Sequence, residues 1–115
     1  MNRGDVIRVQ LPRPAGKPGR EQFGTRPAIV VQEPAATANL STVVIVPLTG
    51  NRSAERFVGS LLVNPTPSNG LTAVSVALTQ QIRAIDKSRV EAVIGMASSE
   101  VMRDIDEALR RLLCL

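Results

Sequence analysis

At 115 residues, 43% of them apolar, the chain is long enough to bury one core and too short for two, so a single domain spanning 1–115 is expected. Its net charge of +4 is lopsided: residues 1–60 hold 8 basic against 4 acidic side chains, while residues 61–115 hold 6 of each, which suits an anionic partner such as nucleic acid. There is no histidine, which removes the ordinary neutral-pH acid–base group, the commonest zinc ligand and every Ser-His or Cys-His relay.

In chain order, a turn at Arg3-Gly4-Asp5 leads into Val6 to Leu11, where Ile7, Val9 and Leu11 alternate with Arg8 and Gln10 as in a half-buried strand. Residues 12–25 mix prolines, glycines and the cations Arg13, Lys17 and Arg20, so an unusually long loop is expected there. Ala28 to Val31 reads as a buried strand directly after Arg26-Pro27, Glu33 to Leu40 as a loop or short helical turn, and Thr42 to Leu48 as a β-branched strand closed by Thr49-Gly50-Asn51. Phe57 to Val63 and Leu71 to Thr79 read as two more strands on either side of Asn64-Pro65-Thr66-Pro67-Ser68-Asn69-Gly70. Phe57 is expected in the core. Alternation continues over Gln81 to Ile85, and Val90 to Met96 reads as the last strand.

The end reads as a helix. Ser98 or Ser99 can cap it, and Val101, Ile105, Ala108, Leu109 and Leu112 form an apolar stripe at spacings of three and four. Asp106 with Arg110 and Glu107 with Arg111 are expected as i,i+4 pairs on the exposed side. Cys114, the sole cysteine, excludes an internal disulfide and reads as a small apolar residue of that helix. No stretch approaches the roughly 20 apolar residues of a membrane span, and no secretion signal opens the chain, so a soluble cytoplasmic protein with no membrane association is expected. Short strands followed by one long helix imply an α+β, mainly β domain whose strands curl into a small barrel.

Four segments in this order resemble the MazF/PemK toxin family over nearly the whole chain. They are Arg3-Gly4-Asp5-Val6, Thr25-Arg26-Pro27-Ala28-Ile29-Val30-Val31, Val44-Ile45-Val46-Pro47-Leu48-Thr49, and Ser75-Val76-Ala77-Leu78 with Gln81-Ile82-Arg83-Ala84-Ile85-Asp86-Lys87. Asp106 to Leu109 is similar to the Asp-Glu-Ala-Leu segment of the family's final helix. The resemblance implies an SH3-like β-barrel of MazF/PemK/CcdB type with a C-terminal helix, in a homodimer. It also implies the toxin of a type II toxin–antitoxin system: an endoribonuclease that cuts single-stranded RNA at short motifs, without cofactor or metal. A cognate antitoxin with an acidic, disordered tail is then the second partner.

By the same resemblance, Arg26 matches the family's catalytic arginine and Thr49 its catalytic threonine or serine. Glu21 and Gln22 match a Glu-Gln pair in the preceding loop, making Glu21 a candidate for catalytic support. Arg13, Lys17, Arg20, Arg56 and Arg83 are candidate phosphate contacts, Phe23 a candidate base stacker, and Gln22 and Gln80 further candidates to touch RNA. Two departures stand out: Gln80 occupies a place where a carboxylate often occurs, and Ala73-Val74 replaces a charged pair before Ser75.

These residue types suit the chemistry. RNA carries its own nucleophile, the 2'-hydroxyl, so an enzyme need only align it with the adjacent phosphate and stabilise the charge on the phosphorane oxygens. A guanidinium is a planar fork of donors matched to phosphate oxygens. With a solution pKa above about 12 it is a poor base and a reluctant acid, so electrostatic work is its main expected part. A threonine hydroxyl can donate to the same phosphate. Two other readings compete: a non-catalytic gyrase-poisoning toxin of the same barrel, and a barrel-type binding module.

Overall fold

The computed structural model describes residues 1–16, 19 and 22–115. Strand β1 (Asp5–Leu11) follows the alternation in its sequence, burying Ile7, Val9 and Leu11 while Arg8 and Gln10 stay exposed. Strand β2 (Gly24–Val30) starts earlier than its apolar run suggests and takes in Arg26-Pro27, because β1 supplies a partner for each residue from Leu11↔Gly24 to Val6↔Ile29. Pro27 is tolerated where β3 has not yet joined the second edge of β2.

A one-turn helix α1 (Pro34–Thr37) follows, capped by the Glu33 carboxylate accepting from the Ala36 N–H, and then β3 (Thr42–Thr49). One edge of β3 pairs with β2; the other pairs with β6 (Arg83–Asp86) at its start and with β5 (Ser75–Leu78) at its end.

Three expected strands are shortened. Residues 52–56 form a 3-10 turn whose first N–H groups are capped by Asn51, so β4 is only Ser60–Val63 and Phe57 lies outside the core, 40% exposed. Pairing with this short β4 ends at Val63↔Ser75, which leaves 71–74 without a strand partner and β5 starting at Ser75. Thr79–Gln81 closes a further 3-10 turn through the Ile82 N–H donating to the Thr79 carbonyl, so the next strand begins at Arg83 rather than Gln81. In each case a local cap or a missing partner outweighs β-propensity. The last strand, β7 (Val90–Met96), lies where expected.

The sheet runs β4-β5-β3-β2-β1-β7, with β6 branching from β3. The fold class is the one expected, but among the described residues the strands do not close into a ring. The gap is bridged by a loop: the Met96 N–H of β7 donates to the Ser68 carbonyl at 2.9 Å. One sheet face packs Val6, Ile29, Val46, Leu48, Val63 and Ala77 against Met102 and Ile105 of helix α2 (Ser99–Leu113); the other packs Ile7, Val9, Leu11, Ala28, Val30, Val43, Ile45 and Ile85 together.

Helix α2 is capped by the Ser98 hydroxyl, which accepts from the Val101 N–H. Its Asp106 is half-buried and pairs with Arg3, not with Arg110; Glu107 pairs with Arg111 as expected and also approaches Arg110 at 3.9 Å. Arg3 wins because its Nε also donates to the Val31 carbonyl, which holds the guanidinium against the helix. Cys114 is not packed: it is exposed and forms the left-handed cap beyond the helix, with φ +55°. Among the described residues no helix is long and apolar enough to cross a membrane.

Candidate active site and nucleic-acid interface

Strand register and pleat decide where Arg26 and Thr49 lie. The β2–β3 pairs are Val30↔Ile45, Ile29↔Val46 and Ala28↔Pro47, and two residues beyond the last pair stand Arg26 on one strand and Thr49 on the other. Side chains alternate along a strand, so Arg26 shares the face of Ala28 and Val30, and Thr49 that of Val43 and Ile45. Both sets belong to one apolar cluster. The two side chains therefore issue from the same face of the sheet, at its end. Arg26 Nε donates to the Phe23 carbonyl (3.2 Å), and Thr49 Oγ1 accepts from the Asn51 N–H (3.2 Å), an arrangement that leaves the hydroxyl proton to donate.

They do not line one depression. Thr49, 5% exposed, forms the floor of a cleft of about 150 Å³ with Gln22, Asn51, Arg56, Phe57 and Gln81. Gln81 also lines a cleft of about 470 Å³ with Arg13, Gln80 and Arg83, and one of about 380 Å³ with Phe57, Val58 and Gln80, so the three adjoin. Arg26 borders a separate cleft of about 210 Å³ with Arg8, Thr25, Pro27 and Leu71. Thr25 and Pro27 project to the opposite sheet face from Arg26, which places that cleft on the far side.

Nine of the described arginines fall into two groups by the kind of partner that holds them, and Arg89 and Arg103 fall in neither. Arg3, Arg8, Arg52, Arg110 and Arg111 each meet a carboxylate. Arg13, Arg56 and Arg83, which line the adjoining clefts, and Arg26, which borders the separate one, pair with no carboxylate among the described residues. Arg13 lies over the Phe23 ring at 5.5 Å and Arg56 over the Phe57 ring at 4.9 Å, while Arg26 and Arg83 donate to the carbonyls of Phe23 and Gln22. Rings and carbonyls orient a guanidinium without cancelling its charge. Among the described residues no three His, Cys, Asp or Glu side chains converge as a cation site.

A family model described as "PemK-like, MazF-like toxin of type II toxin-antitoxin system" matches residues 2–113. The chain belongs to this toxin family. Endoribonuclease MazF of Staphylococcus saprophyticus subsp. saprophyticus is 28% identical over 109 residues, covering 95% of this chain and 88% of that protein. The crystal structure of MazF from Deinococcus radiodurans is similar in fold, with a TM-score of 0.78 at 23% identity over 100% of this chain and 97% of that one. A mycobacterial endoribonuclease in complex with its cognate antitoxin gives a TM-score of 0.76 at 23% identity, covering 100% and 96%.

Of the candidate site positions, Arg13, Gln22, Phe23, Thr49, Arg56, Gln80 and Arg83 gather about the adjoining clefts, and Arg26 is joined to them through Phe23. Phe23 is half-buried, with Arg13 over its ring. Gln80 donates through Nε2 to Ser60 Oγ, and its buried Oε1 has no partner among the described residues. Lys17, Arg20 and Glu21 lie outside the described residues. Asn51, Phe57 and Gln81 also line these clefts and were not among the expected site residues. Only Gln81 carried a signal in the sequence, as the first residue of the Gln81-Ile82-Arg83 segment.

Proposed function

We propose that this toxin is a metal-independent, sequence-specific endoribonuclease that cuts single-stranded RNA by 2'-hydroxyl attack on the adjacent phosphate. The observation that carries the reading is a set of four arginines, three lining the adjoining clefts and Arg26 tied to them through the Phe23 carbonyl, which rings and carbonyls hold and which no carboxylate neutralises among the described residues. Arg26 is the catalytic cation, donating to the phosphorane oxygens, and the Thr49 hydroxyl is the second donor to that phosphate. Arg13, Arg56 and Arg83 hold flanking phosphates, with Lys17 and Arg20 of the same loop; Phe23 stacks a base, Gln22 and Gln80 contact the strand, and Glu21 supports proton transfer. The products are a 2',3'-cyclic phosphate and a 5'-hydroxyl. No cofactor enters, because the nucleophile belongs to the substrate.

The same cations, which meet no carboxylate among the described residues, suit the acidic, disordered tail of a cognate antitoxin in the cytoplasm, and the exposed Phe57 and Val58, beside a cleft lined by Leu61 and Leu112, suit a homodimer. Incubation of the purified protein with a long RNA in EDTA tests the activity. Cutting that disappears with Arg26→Ala and with a 2'-deoxy residue at the cut site is the expected result. Intact RNA with inhibited DNA supercoiling supports a gyrase poison instead, and sedimentation as a monomer at micromolar concentration counts against the dimer.

A further inference from the structure

Gln22 and Phe23 are the last residues before β2, and three side chains grip their backbone. The Gln22 N–H donates to Gln81 Oε1 at 3.0 Å, the Gln22 carbonyl accepts from Arg83 Nη1 at 3.4 Å, and the Phe23 carbonyl accepts from Arg26 Nε at 3.2 Å. Gln81 ends the 3-10 turn Thr79–Gln81, and Arg83 opens β6, where it pairs with Ile45 of β3. The peptide that anchors Arg26 is thus tied to the strand that carries Thr49. Once its Nε is committed to a fixed carbonyl, a guanidinium presents its two Nη groups in one direction. If that carbonyl drifts, the donors drift with it, and a misplacement of about 1 Å at a reacting centre costs on the order of 100-fold in rate.

We propose that Gln81 is a positioning residue: by holding the Gln22 N–H it fixes the Phe23 carbonyl, and through that carbonyl it aims Arg26 at the phosphate shared with Thr49. This rests on the ribonuclease reading above. An amide suits the task because it supplies an acceptor without a charge. A carboxylate would accept the same N–H but set a negative charge beside the cleft, and an alkyl side chain would leave the N–H unheld.

Gln81→Leu is expected to lower kcat about 100-fold with KM changed less than about 3-fold. Gln81→Glu, which keeps the acceptor, is expected to recover most of kcat while raising KM through repulsion of the RNA. A readout independent of cleavage is the Gln22 amide, which should exchange at least about 10-fold faster in Gln81→Leu and stay protected in Gln81→Glu, with the Arg26 Nε–H resonance shifted only in the former. If Gln81→Leu does not fold, Gln81→Met carries the same expectation. A rise in KM with kcat intact would mean that Gln81 touches RNA directly and would overturn the proposal. So would a Gln22 amide that stays protected without the Gln81 acceptor. Wild-type protein that cuts no RNA would sink the ribonuclease reading alone, since the amide exchange still judges the clamp.

Discussion

Two ends of this sheet solve opposite problems. Where β7 lies beside β1, the Asn64–Gly70 loop is packed with its backbone directly on the strand: a Cβ at Gly95 would come within 2.4 Å of the Asn69 carbonyl carbon, and one at Gly70 within 2.1 Å of the Ile94 oxygen. Buried Asn69 accepts from the Thr66 and Leu71 N–H groups and donates to the Asn64 carbonyl, so the loop satisfies its own polar groups. At the other end, by Thr49, arginines are held by rings and carbonyls and buried amide oxygens of Gln22 and Gln80 have no partner among the described residues. One end is saturated and serves as scaffold; the other, among the described residues, leaves its arginines without carboxylate partners and two amide oxygens unsatisfied, which is what the proposed contact with RNA would use.

Breaking each end separately should give different losses. The largest is expected from Arg26→Ala: a fall in cleavage rate of about 100- to 1000-fold, or roughly 3–4 kcal/mol of transition-state stabilisation, with the melting temperature little changed. Single-turnover cleavage beside a thermal melt checks both halves, and a normal rate would remove Arg26 from the chemistry. At the scaffold end the loss is of stability. Gly95→Ala forces backbone apart and should cost about 2–3 kcal/mol in denaturant unfolding, while kcat per folded molecule is unchanged. Asn69→Ala strands two N–H groups and should cost about 2 kcal/mol. A melt within experimental error of wild type for either variant would show that the loop is not the clasp described.

How much of this was legible in the sequence follows the same division. β1 and α2 were readable because Val6 to Leu11 and the Val101 to Leu112 stripe each carry a period set by burial on one face, and β3 because Thr42 to Leu48 is a β-branched run buried on both faces; β7 also lies where it was expected. Residues 57–59 and 71–74 were misread because the Asn51-capped turn before them and the end of β4 pairing, not side-chain pattern, decide their conformation. Arg26 and Thr49 became candidates only through resemblance, since nothing local distinguishes Arg26 from an exposed arginine or Thr49 from a turn residue. The Gln81 contact was out of reach, because it joins a side chain to a backbone N–H 59 residues earlier in the chain.

The smallest effect is also the sharpest test of the division among the arginines. Arg56 stands over a ring beside the cleft, while Arg111 pairs with Glu107 on the exposed face of α2. Replacing either with glutamine removes one positive charge, so a purely global field would weaken RNA binding alike in both. If instead each cleft arginine holds one phosphate, Arg56→Gln should cut the slope of log K against log salt by about 0.7, because a single-stranded contact releases about that fraction of a counterion. Arg111→Gln should leave the slope unaltered and change stability by at most about 0.5 kcal/mol, the ordinary worth of an exposed i,i+4 pair. Binding titrations of the Arg26→Ala background from low to moderate salt, which keep the RNA uncut, measure both. Equal slopes for the two variants would mean that proximity to the cleft confers nothing and that the net charge of the chain draws the RNA.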